Sequence, residues 1–307
     1  MEVVIDPDAL ETTPTVAALD ARLRGPGGAP ALIEAQTLAS LRRELALSEH
    51  EAVIAGLRWA KRWARPPTSR FKVGAVALGA SGRLYLGANI EFSGLPLNET
   101  VHAEQAAIVH AWIHGEPSLR ALAASAAPCG YCRQFMFELP EPRPMILIPG
   151  HPAASLDELL PQHFGPEQLD REPTFLIAGT RLSASEQGLA LSQTDADADA
   201  LTRLALEAAA HASVPYSGFY AGVALALADG RRFRGSAAES AAYNPTLGPM
   251  QAALIALHLG GGRFEDIADA ALVELEDPLA PYQAATERLL ARVAPGVALR
   301  HATCVRR

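Results

Sequence analysis

The sequence predicts an α/β fold, a three-layer α-β-α sandwich, built twice along one chain. Three observations carry this reading. An amphipathic helical stretch over 48–63 leads into two strand-like runs around a glycine turn. The helical run that follows is small or apolar on nearly every side and needs a sheet to bury against. The same order of turn residues then returns 148 positions later, with Phe71 falling on Phe219. At 307 residues, 49% of them apolar, the chain is long enough and apolar enough for two domains with their own cores.

Residues 1–47 read as an N-terminal helical segment: Pro14 to Leu23 and Thr37 to Leu47 carry helical patterns around a turn cluster from Gly25 to Pro30. They show no chemistry, which leaves packing or subunit contact. Ser48 and Glu51 form a capping box, and Val53, Ile54, Leu57, Trp59, Ala60 and Trp63 follow at helical spacing until Pro66-Pro67. Phe71 to Leu78 and Leu84 to Ala88 then form a hairpin across Gly79 to Gly82. A buried helix opens at His102 and ends at Gly115, a second runs from Cys129 to about Leu139, and Met145 to Ile148 suits a buried strand.

These elements make 48–165 a first domain. Residues 166–200 read as a linker in which Thr174 to Ala178 is the one clear strand candidate. The alternating Asp195, Asp197 and Asp199 lack the glycine and terminal glutamate of a calcium loop, so they read as an acidic linker or a helix start.

The second copy occupies 201–307. At the same offset Ala64, Pro67, Ser69, Gly74, Gly82, Arg83, Gly87 and Glu91 recur as Ala212, Pro215, Ser217, Gly222, Gly230, Arg231, Gly235 and Glu239. Shared glycines and prolines imply shared turns. A two-residue deletion aligns Gln105-Ala106-Ala107 with Gln251-Ala252-Ala253, which sets Gly248 opposite His102 and Met250 opposite Glu104. Asp277 to Pro281 stands where a cysteine pair would recur. The second copy is therefore degenerate, keeping the fold without the chemistry. Arg231, Arg232 and Arg234 beside its hairpin turn read as a solvated strand edge.

The chemistry lies in the first copy, in Val101-His102-Ala103-Glu104-Gln105 and Pro128-Cys129-Gly130-Tyr131-Cys132-Arg133. His102, Cys129 and Cys132 supply three ligands for a tetrahedral zinc whose fourth position stays open to water. With three residues from one cysteine to the next, both sulfurs share the first turn of a helix, where free N–H groups and the dipole favour thiolates. A fourth protein ligand would close the site, so Glu104 is better used as a proton carrier. Alone, the C-x-x-C would equally suit a redox pair or half of a structural zinc site. Joined to H-x-E, it is the signature of zinc nucleobase deaminases, in which the glutamate is the general acid/base.

Composition narrows the partners. A net charge of −8 argues against a grip on phosphate backbones and favours a small or neutral substrate. No apolar run reaches membrane-spanning length, and Met1 to Asp6 lacks the start of a secretory leader. Three cysteines, two of them in the motif, give no disulfide framework, so a cytoplasmic protein is expected, with Cys304 left over.

On these motifs and the broken repeat, the chain resembles the cytidine deaminase family, in its long dimeric bacterial type, over most of its length from about residue 48. The resemblance implies one zinc per subunit on His102, Cys129 and Cys132, with Glu104 as proton shuttle. It implies that Phe71 stacks near the pyrimidine, that Asn89 and Glu91 bind the ribose 3′-hydroxyl, and that backbone groups of Ala103 and Ala127 meet the base. It also implies a homodimer acting on free nucleosides, cytidine and 2′-deoxycytidine, to give uridine and 2′-deoxyuridine. Arg133 stays open between supporting the thiolates and lying on the helix surface. The rival readings are deamination of a modified cytosine nucleoside or a nucleotide, and a zinc-stabilised interaction protein without catalysis.

Overall fold

A computed structural model describes residues 30–173, 182–192, 198–277 and 279–307. The expected helix at Pro14 to Leu23 and strand at Thr174 to Ala178 lie outside them. By internal contacts the chain divides into two units, one ending at 91 and resuming over 100–164, the other made of 92–99 and 165–307. Among the described residues no helix is long and apolar enough to cross a membrane.

The first unit begins with β1 (Leu32–Ile33) and α1 (Ala35–Glu44), then α2 (Glu49–Arg62). The capping box forms: Glu51 N–H donates to Ser48 Oγ at 3.2 Å and Ser48 N–H to the Glu51 carboxylate at 2.6 Å. The hairpin is β2 (Gly74–Gly79) and β3 (Leu84–Ala88), and α3 (Ala103–Ile113), β4 (Leu119–Ala124), α4 (Gly130–Met136), β5 (Met145–Leu147) and the single turn α5 (Leu156–Leu159) follow. The sheet order is β1-β3-β2-β4-β5, with only β4 and β5 parallel. The two-residue β1 escaped the sequence reading because a strand that short has no period to detect. The cysteine helix α4 is shorter than expected, stopping at Met136 rather than near Leu139.

Alternation along the hairpin makes the layers. Gly74 faces α2 and its strand neighbour Ala75 pairs with Gly87, which faces α3, so the two helices cover opposite faces of the sheet. At both glycines a Cβ would come within 3.0 Å of helix backbone, at Lys61 N beside Gly74 and at Ala107 N and Ala103 O beside Gly87. The helices thus press directly onto the strands.

The second unit contains β6 (Leu189–Leu191), α6 (Ala200–Ala210), β7 (Ala221–Leu227), β8 (Arg232–Ser236), α7 (Pro249–Leu259), β9 (Ile267–Leu275), α8 (Gln283–Val293) and β10 (Leu299–Arg306). Its order, β6-β10-β9-β7-β8, repeats the first unit's β3-β2-β4-β5 as β8-β7-β9-β10, down to a register shift at Leu78/Gly79 that recurs at Ala226/Leu227. The fifth strand differs: β1 extends the hairpin edge, whereas β6 extends the opposite edge. Gly222 and Gly235 recur in the roles of Gly74 and Gly87, pressed by α6 and α7. Of the repeated glycines, only Gly82 and Gly230 serve a turn, with φ of 83° and 89°. The others repeat because two helices need two bare patches of strand. Asp199 is a helix start, its carboxylate accepting from the N–H groups of Leu201 and Thr202.

Candidate active site

The site grows from two helix N-termini. His102 is the N-cap of α3 and Cys129 the N-cap of α4, so both stand where unpaired N–H groups gather. Gln105, at the third helical position, turns its side-chain oxygen back to accept from His102 N–H at 3.3 Å. Gln251 does the same for Gly248 N–H at 2.8 Å, which confirms the deletion-adjusted alignment of the copies.

His102 Nδ1 lies 3.5 Å from Cys129 Sγ and 3.3 Å from Cys132 Sγ, and the sulfurs are 3.7 Å apart. A tetrahedral zinc with Zn–S of about 2.3 Å and Zn–N of about 2.0–2.1 Å requires edges of roughly 3.8 Å between sulfurs and 3.5–3.6 Å from sulfur to nitrogen. The donor set fits that ion. Among the described residues these three form the one cluster able to hold a metal. The Tyr131 ring stacks on the His102 imidazole at 4.9 Å and 24°, a contact the sequence reading missed although Tyr131 lies between the cysteines.

Electrostatics separates the groups. The Cys129 thiol is pushed down to about 3 by its hydrogen bond with Cys132, with His102 adding to the effect against the opposing cost of burial. Cys132 is pushed well up by the same sulfur contact and by burial. The pair thus shares a proton that a cation in this position would replace. Contact with Cys129 raises His102 above its ordinary value despite burial. Glu104, 5% exposed on the first turn of α3, is raised by burial, with Cys132 and His102 pulling the other way.

Ile90 connects the remaining expected residues to this centre. It pairs antiparallel with Val101, N–H to O at 3.0 Å in both directions, so Asn89 and Glu91 flank the strand partner of the residue before His102. The Asn89 side chain accepts from Val73 N–H at 2.9 Å and donates to Phe71 O at 3.0 Å, fixing the backbone that carries Phe71. The Phe71 ring is 61% exposed. The Glu91 carboxylate accepts from the N–H groups of Thr68 and Ser69 and from Ser69 Oγ. Burial raises its pKa, but these bonds outweigh that and leave it below the ordinary carboxylate range. Ala103 is buried at the start of α3, and Ala127 is exposed ahead of Pro128. Arg133 does neither of the two things considered for it. Its guanidinium donates to Pro128 O at 2.8 Å and Leu159 O at 2.6 Å, bracing the backbone just before Cys129.

In the second unit, the equivalent place is filled. Gly248 and Met250 occupy the N-cap and second helical positions of α7, and Tyr282 is the N-cap of α8. The Tyr282 ring lies 3.6 Å from where a Gly248 Cβ would sit and 6.4 Å, centroid to centroid, from Phe219. Phe219, the counterpart of exposed Phe71, is 2% exposed and packs with Val214, Ala221 and Ala237. Apolar side chains thus take the volume that the first unit leaves for chemistry.

Two families, each described as the cytidine and deoxycytidylate deaminase zinc-binding region, match this chain, one over residues 47–147 and the other over 156–287. A cytidine deaminase of Klebsiella pneumoniae subsp. pneumoniae is 45% identical over 249 residues, 81% of each chain. Among solved structures, a cytidine deaminase from Mycobacterium tuberculosis is 32% identical over 39% of this chain and 99% of its own, with a TM-score of 0.35. One from Burkholderia pseudomallei is 30% identical over 38% and 100%, also with a TM-score of 0.35. With both stretches matched by families of that zinc-binding description and 45% identity across four-fifths of its length, the chain belongs to the cytidine deaminase family of zinc-dependent enzymes.

Proposed function

We propose that this enzyme hydrolytically deaminates cytidine and 2′-deoxycytidine, giving uridine and 2′-deoxyuridine with release of ammonia, as a cytoplasmic homodimer serving pyrimidine salvage. The observation that carries the reading is a buried carboxylate, Glu104, on the same helical turn as His102, in a cluster with one histidine and two cysteines at tetrahedral spacing. A purely structural zinc site has no use for such a carboxylate.

His102, Cys129 and Cys132 hold the zinc, which when bound supplies the Lewis acidity that lowers the pKa of a water to roughly 7. Glu104 takes the proton of the attacking water and gives it to N3 of the cytosine ring, making C4 electrophilic. With the C4–O bond formed, Glu104 moves the proton of the new C4 hydroxyl to the amino group, and the exocyclic C4–N bond breaks as the C4 carbonyl forms, so water and cytidine become uridine and ammonia. Burial suits the carboxyl to this shuttling, because its raised pKa makes the protonated form accessible. Phe71 offers its exposed ring to the pyrimidine, and backbone groups of Ala103 and Ala127 meet the base. Asn89 and Glu91 read the 3′-hydroxyl with the hydrogen-bonding capacity left after their backbone contacts. Glu91 is held ionised, which disfavours a phosphate at the sugar and hence a nucleotide substrate.

The test is the loss of cytidine absorbance on adding protein, repeated after chelation and after zinc is restored, with cytidine monophosphate in parallel. Turnover of cytidine that vanishes and returns with zinc is the expected result. Bound zinc without turnover would overturn the reading, and faster turnover of the monophosphate would move the substrate to nucleotides.

A further inference from the structure

Residues 92–99 join Glu91 to Thr100 and Val101 ahead of His102, yet they pack with the second unit. The loop is closed at its root by the Ile90–Val101 pair. Along its length it is held by the degenerate copy: the Phe92 ring stacks on Phe264 at 6.4 Å, and Gly94 lies beside the Arg292 guanidinium. At the far end Glu99 O accepts from Gln251 Nε2 at 2.9 Å and the Glu99 carboxylate pairs with Arg288. Gln251 is the residue that caps Gly248, and Arg288 and Arg292 stand one turn apart on α8. These two helices are the counterparts of those that carry the ligands in the first copy.

We infer that the second copy is a clamp on this loop, and that Arg288, Glu99 and Gln251 are positioning residues for the reaction, acting through the loop on Asn89 and Glu91 at one end and His102 at the other. This deepens the proposed function and rests on it for the kinetic arm of its test. The physical reason is asymmetry of burial. The Glu99 side chain is 11% exposed and that of Arg288 47%. Removing the arginine strands a nearly covered carboxylate, which costs more than the pair contributes, so the loop rearranges to hydrate it. Its two ends are covalently the residues that flank Ile90 and Val101, and a small shift there moves groups that must be placed to within a fraction of an ångström.

The experiment compares Arg288→Gln, Arg288→Lys and Glu99→Gln/Arg288→Gln with wild type in the full chain. Amide hydrogen exchange is read at Ile90, Val101 and residues 92–99, together with zinc content, kcat and KM for cytidine. Arg288→Gln should speed exchange in the loop and at its root and lower kcat/KM by about tenfold with zinc content unchanged. Arg288→Lys keeps the charge and should recover most of this, and the double variant, which carries no stranded charge, should be less impaired than Arg288→Gln. Unchanged exchange at Ile90 and Val101 overturns the inference, as does a loosened loop with unaltered kcat/KM. Should Arg288→Gln not fold, the same readings on Arg288→Lys against Glu99→Gln decide it. A wild type inactive on cytidine would remove the proposed function, while exchange at Ile90 and Val101 would still show whether the clamp exists.

Discussion

Substituting Gly87 by alanine should damage stability and chemistry together, and the repeat supplies its control. A Cβ at Gly87 would lie under 3.0 Å from Ala107 N, Ala103 O and Ala107 Cα, all backbone of α3, where ordinary contact needs 3.4 Å or more. The helix must retreat by about 1 Å, and overpacking of this kind costs about 1–3 kcal/mol. For a unit of this size that lowers the melting temperature by roughly 3–10 °C. The retreat acts at Ala103, between His102 and Glu104, and a misplacement of 1 Å costs about 100-fold in rate. Gly222→Ala creates the same clash against Ala209 N and Ala205 O of α6, which carries none of the proposed site residues. It should lose comparable stability with turnover nearly intact. Calorimetry, zinc content and cytidine turnover of both variants form the assay. A Gly87→Ala protein melting at the wild-type temperature would refute the close-contact argument. Equal loss of turnover in both variants would refute its localisation to α3.

Two further outcomes are expected. Glu104→Gln should retain zinc, since its three ligands are untouched, and lose at least about 100-fold in turnover; metal content and rate on one sample check this. His110, buried in α3, is lowered to about 3, first by burial and then by His114. Its unfolded form takes up a proton below about pH 6.5 while the folded form does not, so the first unit loses about 1.4 kcal/mol of stability per pH unit below pH 6. That stability is present above pH 6.5 and lost as the pH falls towards 3. Urea midpoints between pH 7 and 5 should show this slope in wild type and a shallower one in His110→Gln.

Much of the fold and the metal cluster is legible in the sequence because both are written in local spacing. Three residues from Cys129 to Cys132 put two sulfurs on one turn, and Ser48 with Glu51 marks a helix start that forms as read. What stays hidden is set by residues far apart in the chain. Nothing near Gly74 or Gly87 says that a helix backbone lies against it, so glycines that relieve helix contact look like turn glycines. Arg133 looks like a partner for thiolates because they are its neighbours in sequence, yet its acceptors are the carbonyls of Pro128 and Leu159. The repeat itself shows one such long-range role. Glu239 accepts from Tyr216 N–H, Ser217 N–H and Ser217 Oγ, as Glu91 does from Thr68 and Ser69, although the second copy has no ligand set. This glutamate therefore closes a turn in both copies.

The Tyr282 ring bars the second copy from holding a metal where the first copy does. An aromatic side chain fills the space beside Gly248, with Phe219 beside it, so a side chain introduced at 248 meets the ring before it could meet an ion. What surrounds the place is not a ligand set: the Gln251 side-chain oxygen lies 3.1 Å from where a Gly248 Cβ would sit, and Tyr282 N–H donates to the Glu274 carboxylate. With that place filled, α7 and α8 carry no demand from a metal, and substitutions on them are sorted by what they do for the rest of the protein.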